Sequence, residues 1–493
     1  MAELKVIRGN TQTVLSFEPG ERLSNIFKAH NVGILSPCGG RGICGKCAVV
    51  LSGQVCAPNC AEQKAGTRLA CQAVLLGDAE VALPQEREMD GIELGEETLT
   101  SGEPMDGLYG AAVDIGTTTI ALNLYDLQAG TCLSRCGMLN PQAIVAADVM
   151  GRINAALAGE SDRLQAQVTE AVGTLLGLAC SKAGIDASDV DTMVITGNTT
   201  MLYLFTGRNP AALACAPFCA DCLFDETLSL FSRQVYLPCC MHAFVGADIA
   251  CAVLTSGMCE HKGISLLCDV GTNGEMALWK DGELLVTSTA AGPAFEGAGI
   301  SCGCGSVHGA IDRVSFCNGK LSVHTIGEKQ AVGICGSGLI DAVAAALSVN
   351  AVDETGAMEA DFFELAPGVR LLPGDIRTVQ LAKAAIAAGI DTLLEEADIR
   401  PEDVEVFYIA GGFGSRLNVT NAETIGMFPA ILTSRAKVLG NAALTGAARL
   451  LLNRKEQDHI REITRFARHV DLGGNPGFNQ HYMERILFPE NGA

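Results

Sequence analysis

An apolar strand ending in Asp-x-Gly-Thr, followed by a second apolar strand, occurs twice in this chain, 155 residues apart, and constrains the fold more than any other feature. The first copy runs Ala111-Ala112-Val113-Asp114-Ile115-Gly116-Thr117-Thr118-Thr119-Ile120-Ala121-Leu122. The second runs Leu266-Leu267-Cys268-Asp269-Val270-Gly271-Thr272-Asn273-Gly274-Glu275-Met276-Ala277-Leu278. Strand-forming residues on both sides of a Gly-Thr turn predict a β-hairpin. Its turn (Gly116, Thr117, Thr118 and Thr119, or Gly271, Thr272, Asn273 and Gly274) can offer backbone N–H groups and hydroxyls to phosphate. The carboxylates of Asp114 and Asp269 can hold hydrated Mg²⁺ beside it. Two such units so far apart predict a duplicated fold in which each half presents a phosphate hairpin to one cleft.

Two later stretches extend the pattern. Val406-Phe407-Tyr408-Ile409-Ala410-Gly411-Gly412-Phe413-Gly414-Ser415 is a strand entering a Gly-Gly turn. Gly440-Asn441-Ala442-Ala443-Leu444-Thr445-Gly446-Ala447 is a run of small residues suited to close helix packing. In this order the four elements resemble the acetate kinase, sugar kinase, Hsp70 and actin superfamily. That resemblance implies a two-lobed ATPase fold with ATP between the lobes, Gly411, Gly412 and Gly414 on the adenosine side, and the small-residue helix at the hinge. Three more loops fit the frame: Gly197-Asn198-Thr199-Thr200, Gly292-Pro293-Ala294-Phe295-Glu296-Gly297, and Gly333 to Asp341. In the last of these, Gly336 and Ser337 open a helix whose N-terminal amides can receive phosphate. At least one of the three is expected to line the cleft.

The N-terminal region carries different chemistry. Cys38, Cys44 and Cys47 share one Gly-rich loop with the spacing C-x5-C-x2-C, and Cys71 follows 24 residues after Cys47. Three thiolates on a curled loop and a fourth from a later segment can wrap an iron–sulfur cluster. Two rival motifs overlap the loop: Gly40-x-Gly42-x-x-Gly45 matches a dinucleotide fingerprint, and Gly40-x4-Gly45-Lys46 is a P-loop lacking its final Ser or Thr. Cys47 stands where that hydroxyl would meet Mg²⁺, and no strand-loop-helix context surrounds it, so the cluster is the preferred reading. The order of strand pair, helix, cysteine loop and further strands up to residue 84, with the run Arg68-Leu69-Ala70-Cys71-Gln72, resembles β-grasp [2Fe–2S] ferredoxins. The spacing is one residue longer than the plant type and matches the adrenodoxin-like branch. The resemblance implies Cys38, Cys44, Cys47 and Cys71 as ligands, with Cys56 and Cys60 the competitors of Cys71 inside the domain.

Between the two regions, residues 85–108 lose hydrophobic periodicity and carry Glu86, Glu88, Asp90, Glu93, Glu96, Glu97, Glu103 and Asp106 against Arg87. Such a segment buries too little apolar surface to order itself, so a flexible acidic linker is expected. Across the chain, 34 Lys and Arg against 56 Asp and Glu give a net charge of −22, which argues against nucleic-acid or anionic-membrane partners. With no charged-then-apolar leader and no run of 18 apolar residues, a soluble cytoplasmic protein is expected. In that compartment the 21 cysteines are read as ligands and packing thiols. Cys215, Cys219 and Cys222 have the C-x3-C-x2-C spacing that resembles a radical-SAM loop. They lie inside the first lobe with no barrel pattern after them, and reduced thiols are the preferred reading.

The expected architecture is therefore α/β with an N-terminal α+β domain: ferredoxin-like 1–84, linker 85–108, first ATPase lobe 109–265, second lobe 266–453, and a C-terminal segment 454–493 on the second lobe. This combination resembles the reductive activators of corrinoid proteins. Asn140-Pro141-Gln142, Asp148-Val149, Val245-Gly246-Ala247-Asp248 and Asp375-Ile376-Arg377-x3-Leu381-Ala382-Lys383 look like that family's signatures. Longer members carry an additional middle domain, and this chain is expected to be a short form lacking it. The resemblance implies a [2Fe–2S] cluster, ATP and Mg²⁺ as cofactors, one-electron reduction of Co(II) to Co(I) on a corrinoid partner, and a low-potential electron donor; a homodimer is left open. Plant-type clusters sit near about −400 mV, and each ~59 mV of uphill one-electron gap costs a factor of ten, so coupling to nucleotide makes physical sense. The alternative is a redox-sensing small-molecule kinase. A chaperone would need a peptide-binding domain after the second lobe, and dehydratase activators lack the ferredoxin domain.

Overall fold

Alternation of apolar and polar residues builds the N-terminal sheet in this computed structural model, which describes residues 1–8, 11–30, 32, 34, 42, 47–65, 67–83, 102–317, 319–412 and 416–489. Strands β1 (Ala2–Arg8), β2 (Thr11–Phe17), β3 (Ala48–Val55), β4 (Arg68–Leu69) and β5 (Leu75–Leu83) lie in the order β2-β1-β5-β3-β4. Only β1 and β5 pair in parallel. Along β5 the buried residues recur every second position, from Leu75 to Leu83, the period of a strand with one face on a core. Helix Leu23–Ala29 covers that face with Leu23, Ile26 and Phe27. This is the β-grasp arrangement expected of a ferredoxin domain.

The duplication read from the two Asp-x-Gly-Thr turns is present in five strands of each main sheet. The first lobe holds β6 (Tyr109–Ile115), β7 (Thr119–Asp126), β8 (Thr131–Leu139), β9 (Val190–Gly197), β10 (Glu226–Leu230) and β11 (Arg233–Leu237), ordered β10-β11-β9-β6-β7-β8. The second begins with β12 (Ile264–Val270), β13 (Gly274–Lys280) and β14 (Glu283–Thr289). A side sheet follows, of β15 (Ala310–Cys317), β16 (Lys320–Thr325) and β17 (Gly333–Ile334), then a small hairpin of β18 (Phe363–Ala366) and β19 (Val369–Leu371). Strands β20 (Val404–Ala410), β21 (Ala436–Gly440) and β22 (Ala467–His469) complete the second main sheet, ordered β21-β20-β12-β13-β14-β22. Antiparallel β6-β7-β8 with parallel β9 and β11 recurs as antiparallel β12-β13-β14 with parallel β20 and β21.

Equivalent helices of the two lobes, Ala247–Ser256 and Ala442–Leu452, pack on each other and form the hinge. A Cβ on Gly446 would stand 2.3 Å from the Cys251 carbonyl oxygen, so glycine is what lets the helices touch. Val253, Leu254, Leu444 and Leu451 share one core with Ala112 of the first sheet and Leu267 of the second. The two lobes therefore share one apolar core at the base of the cleft.

The linker expectation needs correction at its C-terminal end; residues 84–101 lie outside the described residues. The N–H groups of Gly102 and Met105 donate to the carbonyls of Leu452 and Leu451 at 3.3 and 3.0 Å. Leu108 N–H donates to Asp191 Oδ2 at 2.9 Å. Met105 packs on the hinge core and Arg454 pairs with Asp106, so apolar contact and a countercharge tie down residues that charge alone marked as tether. At the other end, helix Lys455–Arg465 packs on the first-lobe helix Ala247–Ser256. Strand β22 pairs with β14, and helix Pro476–Glu484 lies along Pro373–Glu396 of the second lobe. Among the described residues no helix is long and apolar enough to cross a membrane.

Candidate functional site

The two Asp-x-Gly-Thr turns meet tip to tip. In the first, Gly116 N–H donates to the Thr119 carbonyl at 2.9 Å, and in the second Gly271 N–H donates to the Asn273 carbonyl at 3.0 Å. A Cβ on Gly116 would lie 2.8 Å from Thr119 O, so the turn accepts only glycine there. The hydroxyls of Thr118 and Thr272, one from each lobe, are 3.1 Å apart. Both donate to Glu296 Oε2, Thr272 at 2.6 Å. Glu296 closes the short helical turn Pro293–Glu296 after β14.

Polar side chains brace the first hairpin from behind. Asn140 Nδ2 donates to the Gly116 carbonyl at 2.9 Å and Asn140 N–H to the Thr118 carbonyl at 2.8 Å. Asn198 Nδ2 donates to Thr117 Oγ1 at 3.1 Å. Arg152, fully buried, donates to the Thr117 carbonyl at 2.5 Å, the Ala146 carbonyl at 3.0 Å and Gln142 Oε1 at 3.1 Å. The carbonyls of Gly116, Thr117 and Thr118 are thus already engaged, which removes three acceptors that would repel a phosphate.

Asp114 and Asp269 occupy matching positions on β6 and β12, paired with Thr196 of β9 and Ala410 of β20 respectively. Asp114 Oδ2 accepts from Asn441 Nδ2 at 3.1 Å, a bond that crosses from the hinge helix of one lobe to the sheet of the other. Burial pushes Asp114 up to about 6, with Asn441 opposing. Burial and then the Asp114 charge push Asp248 up to about 7. Asp269 rises to about 8 through burial, then the charges of Asp248, Asp114 and Glu296. Burial also raises Glu275 well above the carboxylate range and raises Glu296, the latter opposed by Thr118 and Thr272. Each of the three aspartates keeps an edge open to solvent. Mutual repulsion among carboxylates is relieved by a cation, and this donor set fits Mg²⁺. Among the described residues no three His, Cys, Asp or Glu side chains converge to cage an ion.

In the ferredoxin domain, Cys38 and Cys44 lie outside the described residues, while Cys47 and Cys71 are described and buried. Hydrogen bonds from Cys47, Gln72 and the Gly42 N–H outweigh burial and draw the Cys71 thiol down to about 6. Buried Glu62 fixes the preceding segment, accepting from Arg68 Nε at 2.9 Å and Leu69 N–H at 3.0 Å. Of the competitors, Cys56 accepts from Val74 N–H at 3.2 Å, and Cys60 is exposed at the start of a helix.

The remaining expected residues divide. Gly411 has φ +123° and would bring a Cβ within 2.4 Å of the Val270 carbonyl, so glycine lets the β20 turn close on the second hairpin. Gly412 has open space around it, and Gly414 lies outside the described residues. Gly336 and Ser337 contact the fold: a Cβ on Gly336 would meet the Phe295 carbonyl at 1.9 Å, and Ser337 Oγ donates to the Asp312 carbonyl at 2.9 Å. Gly336 seats the turn that carries Glu296. Cys222 lies against the Arg208 guanidinium, with Cys215 and Cys219 exposed. Sequence reasoning missed Arg152, Asp248, Glu296 and Asn441 as site residues, although each lies in or next to a stretch it had singled out.

Family models match three consecutive parts of the chain. The 2Fe-2S iron-sulfur cluster binding domain matches residues 6–76, the RACo middle region 109–261, and the C-terminal domain of RACo, the ASKHA domain, 263–493. The corrinoid activation enzyme RamQ of Eubacterium limosum is 34% identical over 433 residues, covering 80% of this chain and 72% of that protein. The chain belongs to the RACo-type corrinoid activators. Within that family, the [Co(II) methylated amine-specific corrinoid protein] reductase of Methanosarcina barkeri is 27% identical over 423 residues, or 77% of each chain. The solved structure of a reductive activator for corrinoid, iron-sulfur protein aligns over 99% of both chains, with a TM-score of 0.75 and 26% identity. The family's middle region matches 109–261, the segment that folds here as the first lobe.

Proposed function

We propose that this chain is an ATP-dependent reductive activator of a corrinoid protein, passing one electron from a [2Fe–2S] cluster to Co(II) to regenerate Co(I) for methyl transfer. The observation that carries the reading is the meeting of Thr118 and Thr272 at 3.1 Å, two phosphate hairpins closed on each other in a chain that also builds a ferredoxin domain. The names of its relatives support the same activity. Asp114 and Asp269 hold Mg²⁺ through water, the turns 116–119 and 271–274 bind the phosphates, and Gly411, Gly412 and Gly414 face the adenosine. Cys38, Cys44, Cys47 and Cys71 hold the cluster, which when bound supplies a one-electron carrier near about −400 mV. That potential leaves cobalt reduction uphill, so nucleotide turnover between the lobes switches the chain's grip on its corrinoid partner. A low-potential donor reloads the ferredoxin domain. We read the setting as cytoplasmic, in keeping with the absence of disulfides among the described residues.

The test is anaerobic. The reduced protein is mixed with a Co(II) corrinoid protein with and without Mg-ATP, and the visible spectrum is followed for Co(I) or its methylated product. ATP-dependent appearance of either is the expected result. A reducible cluster and ATP hydrolysis without cobalt reduction across several corrinoid partners would overturn it in favour of the small-molecule kinase.

A further inference from the structure

Among the described residues, Glu296 is where the two hairpins share a side-chain partner. Its Oε2 accepts from Thr118 of the first lobe and Thr272 of the second, whose hydroxyls are themselves 3.1 Å apart. The turn that carries it is pinned. A Cβ on Gly297 would stand 2.4 Å from the Cys304 carbonyl, and Gly336 backs the turn against Phe295 O. To a threonine hydroxyl, a carboxylate oxygen and a phosphate oxygen are the same kind of partner, an anionic acceptor. Arg152, buried behind the first hairpin, adds a positive charge that both anions would feel.

We infer that Glu296 is the residue by which the cleft tells a nucleoside triphosphate from a diphosphate, its carboxylate occupying the place between Thr118 and Thr272 that a terminal phosphate takes. A diphosphate leaves both threonine bonds in place. A third phosphate must take them over, and Glu296 has to withdraw from a site it fills well. The exchange couples arrival of the terminal phosphate to release of the only carboxylate tie between the hairpin tips among the described residues. This inference rests on the nucleotide reading of the cleft.

Calorimetric binding of Mg-ADP and of a non-hydrolysable Mg-ATP analogue, with wild type and Glu296→Gln, tests it. The amide keeps the size and one acceptor oxygen but loses the charge. Exchanging a charged for a neutral acceptor changes a hydrogen bond by about 1.4 kcal/mol, a factor of ten. Affinity for the triphosphate analogue should therefore tighten about tenfold, while that for the diphosphate stays within about twofold. Thr272→Val, equal in shape and lacking the hydroxyl, should weaken the triphosphate selectively. Parallel shifts of both ligands in either variant, or no shift in E296Q, overturn the assignment. Wild type binding neither ligand would be a different failure, that of the nucleotide reading itself.

Discussion

The two phosphate hairpins share a backbone and differ in what stands behind them. The first is braced by side chains of its own lobe, Asn140, Arg152 and Asn198, and its aspartate receives a hydrogen bond from Asn441. Behind the second, the Gly411 turn lies close against Val270 O, the Thr272 hydroxyl donates to Glu296, and among the described residues no donor offsets the burial of Asp269. The consequence is electrostatic. Burial raises both carboxylates, Asp269 further, to about 8 against about 6 for Asp114, which Asn441 opposes.

The largest break in that comparison is Asp269→Ala. On the proposed role of Asp269 as a Mg²⁺ ligand, this variant should lower ATP turnover roughly a hundredfold or more, with the visible spectrum of the cluster unchanged; retention of full turnover would refute the role. Next comes Arg152→Met, which strikes the first hairpin alone. It removes the donor from Thr117 O, Ala146 O and Gln142 Oε1 in a fully buried site. Unsatisfied buried acceptors cost about 1–3 kcal/mol each, so thermal unfolding of the ATPase lobes should shift down by many degrees. No arginine supports the second hairpin in this way among the described residues, and a stable R152M protein would mean that the brace is dispensable.

How much of this was legible follows from the range of each signal. The hairpins were readable because aspartate, glycine and threonine sit within six consecutive residues of an apolar strand pair. Residues 68–72 were readable because the fourth thiol stands in a local run. Glu296, Arg152 and Asn441 were not, since which side chain turns toward the hairpins is set by packing that composition and periodicity do not encode, over separations from 24 to 327 residues. Glu296 lies 178 residues from Thr118, and Asn441 lies 327 from Asp114. The same limit explains residues 102–108. Their charge reads as a tether, while the carbonyls of Leu451 and Leu452 and the side chain of Arg454 that hold them down come from the far end of the chain.

A smaller effect concerns pH. Asp269 binds its proton more tightly in the folded chain, about 8, than in the unfolded one, near about 3.9. Between those values the native state holds more protons, so stability in the absence of nucleotide should fall as pH rises through that interval. Thermal melts from pH 5 to 8.5 should show this fall, flattened in Asp269→Asn. Mg-ATP should also reduce it by favouring the ionised form. A melting temperature that climbs over the same range would contradict the burial of Asp269.

The smallest and sharpest test is Asn441→Ala. It removes the donor that separates Asp114 from Asp269, and with it the cap that accepts Leu444 N–H at 2.8 Å. Loss of the cap costs about 1 kcal/mol and shows as a modest drop in melting temperature. Asn441→Asp separates the two roles, because aspartate caps a helix as well as asparagine but faces Asp114 with a second negative charge. In N441D the melting temperature at low pH should stay near that of wild type, where both acids are neutral, and fall further than wild type as pH rises. If N441D instead followed wild type at every pH, the difference between the two aspartates would have to come from their surroundings in the sheets, and the hinge helix would be only a scaffold.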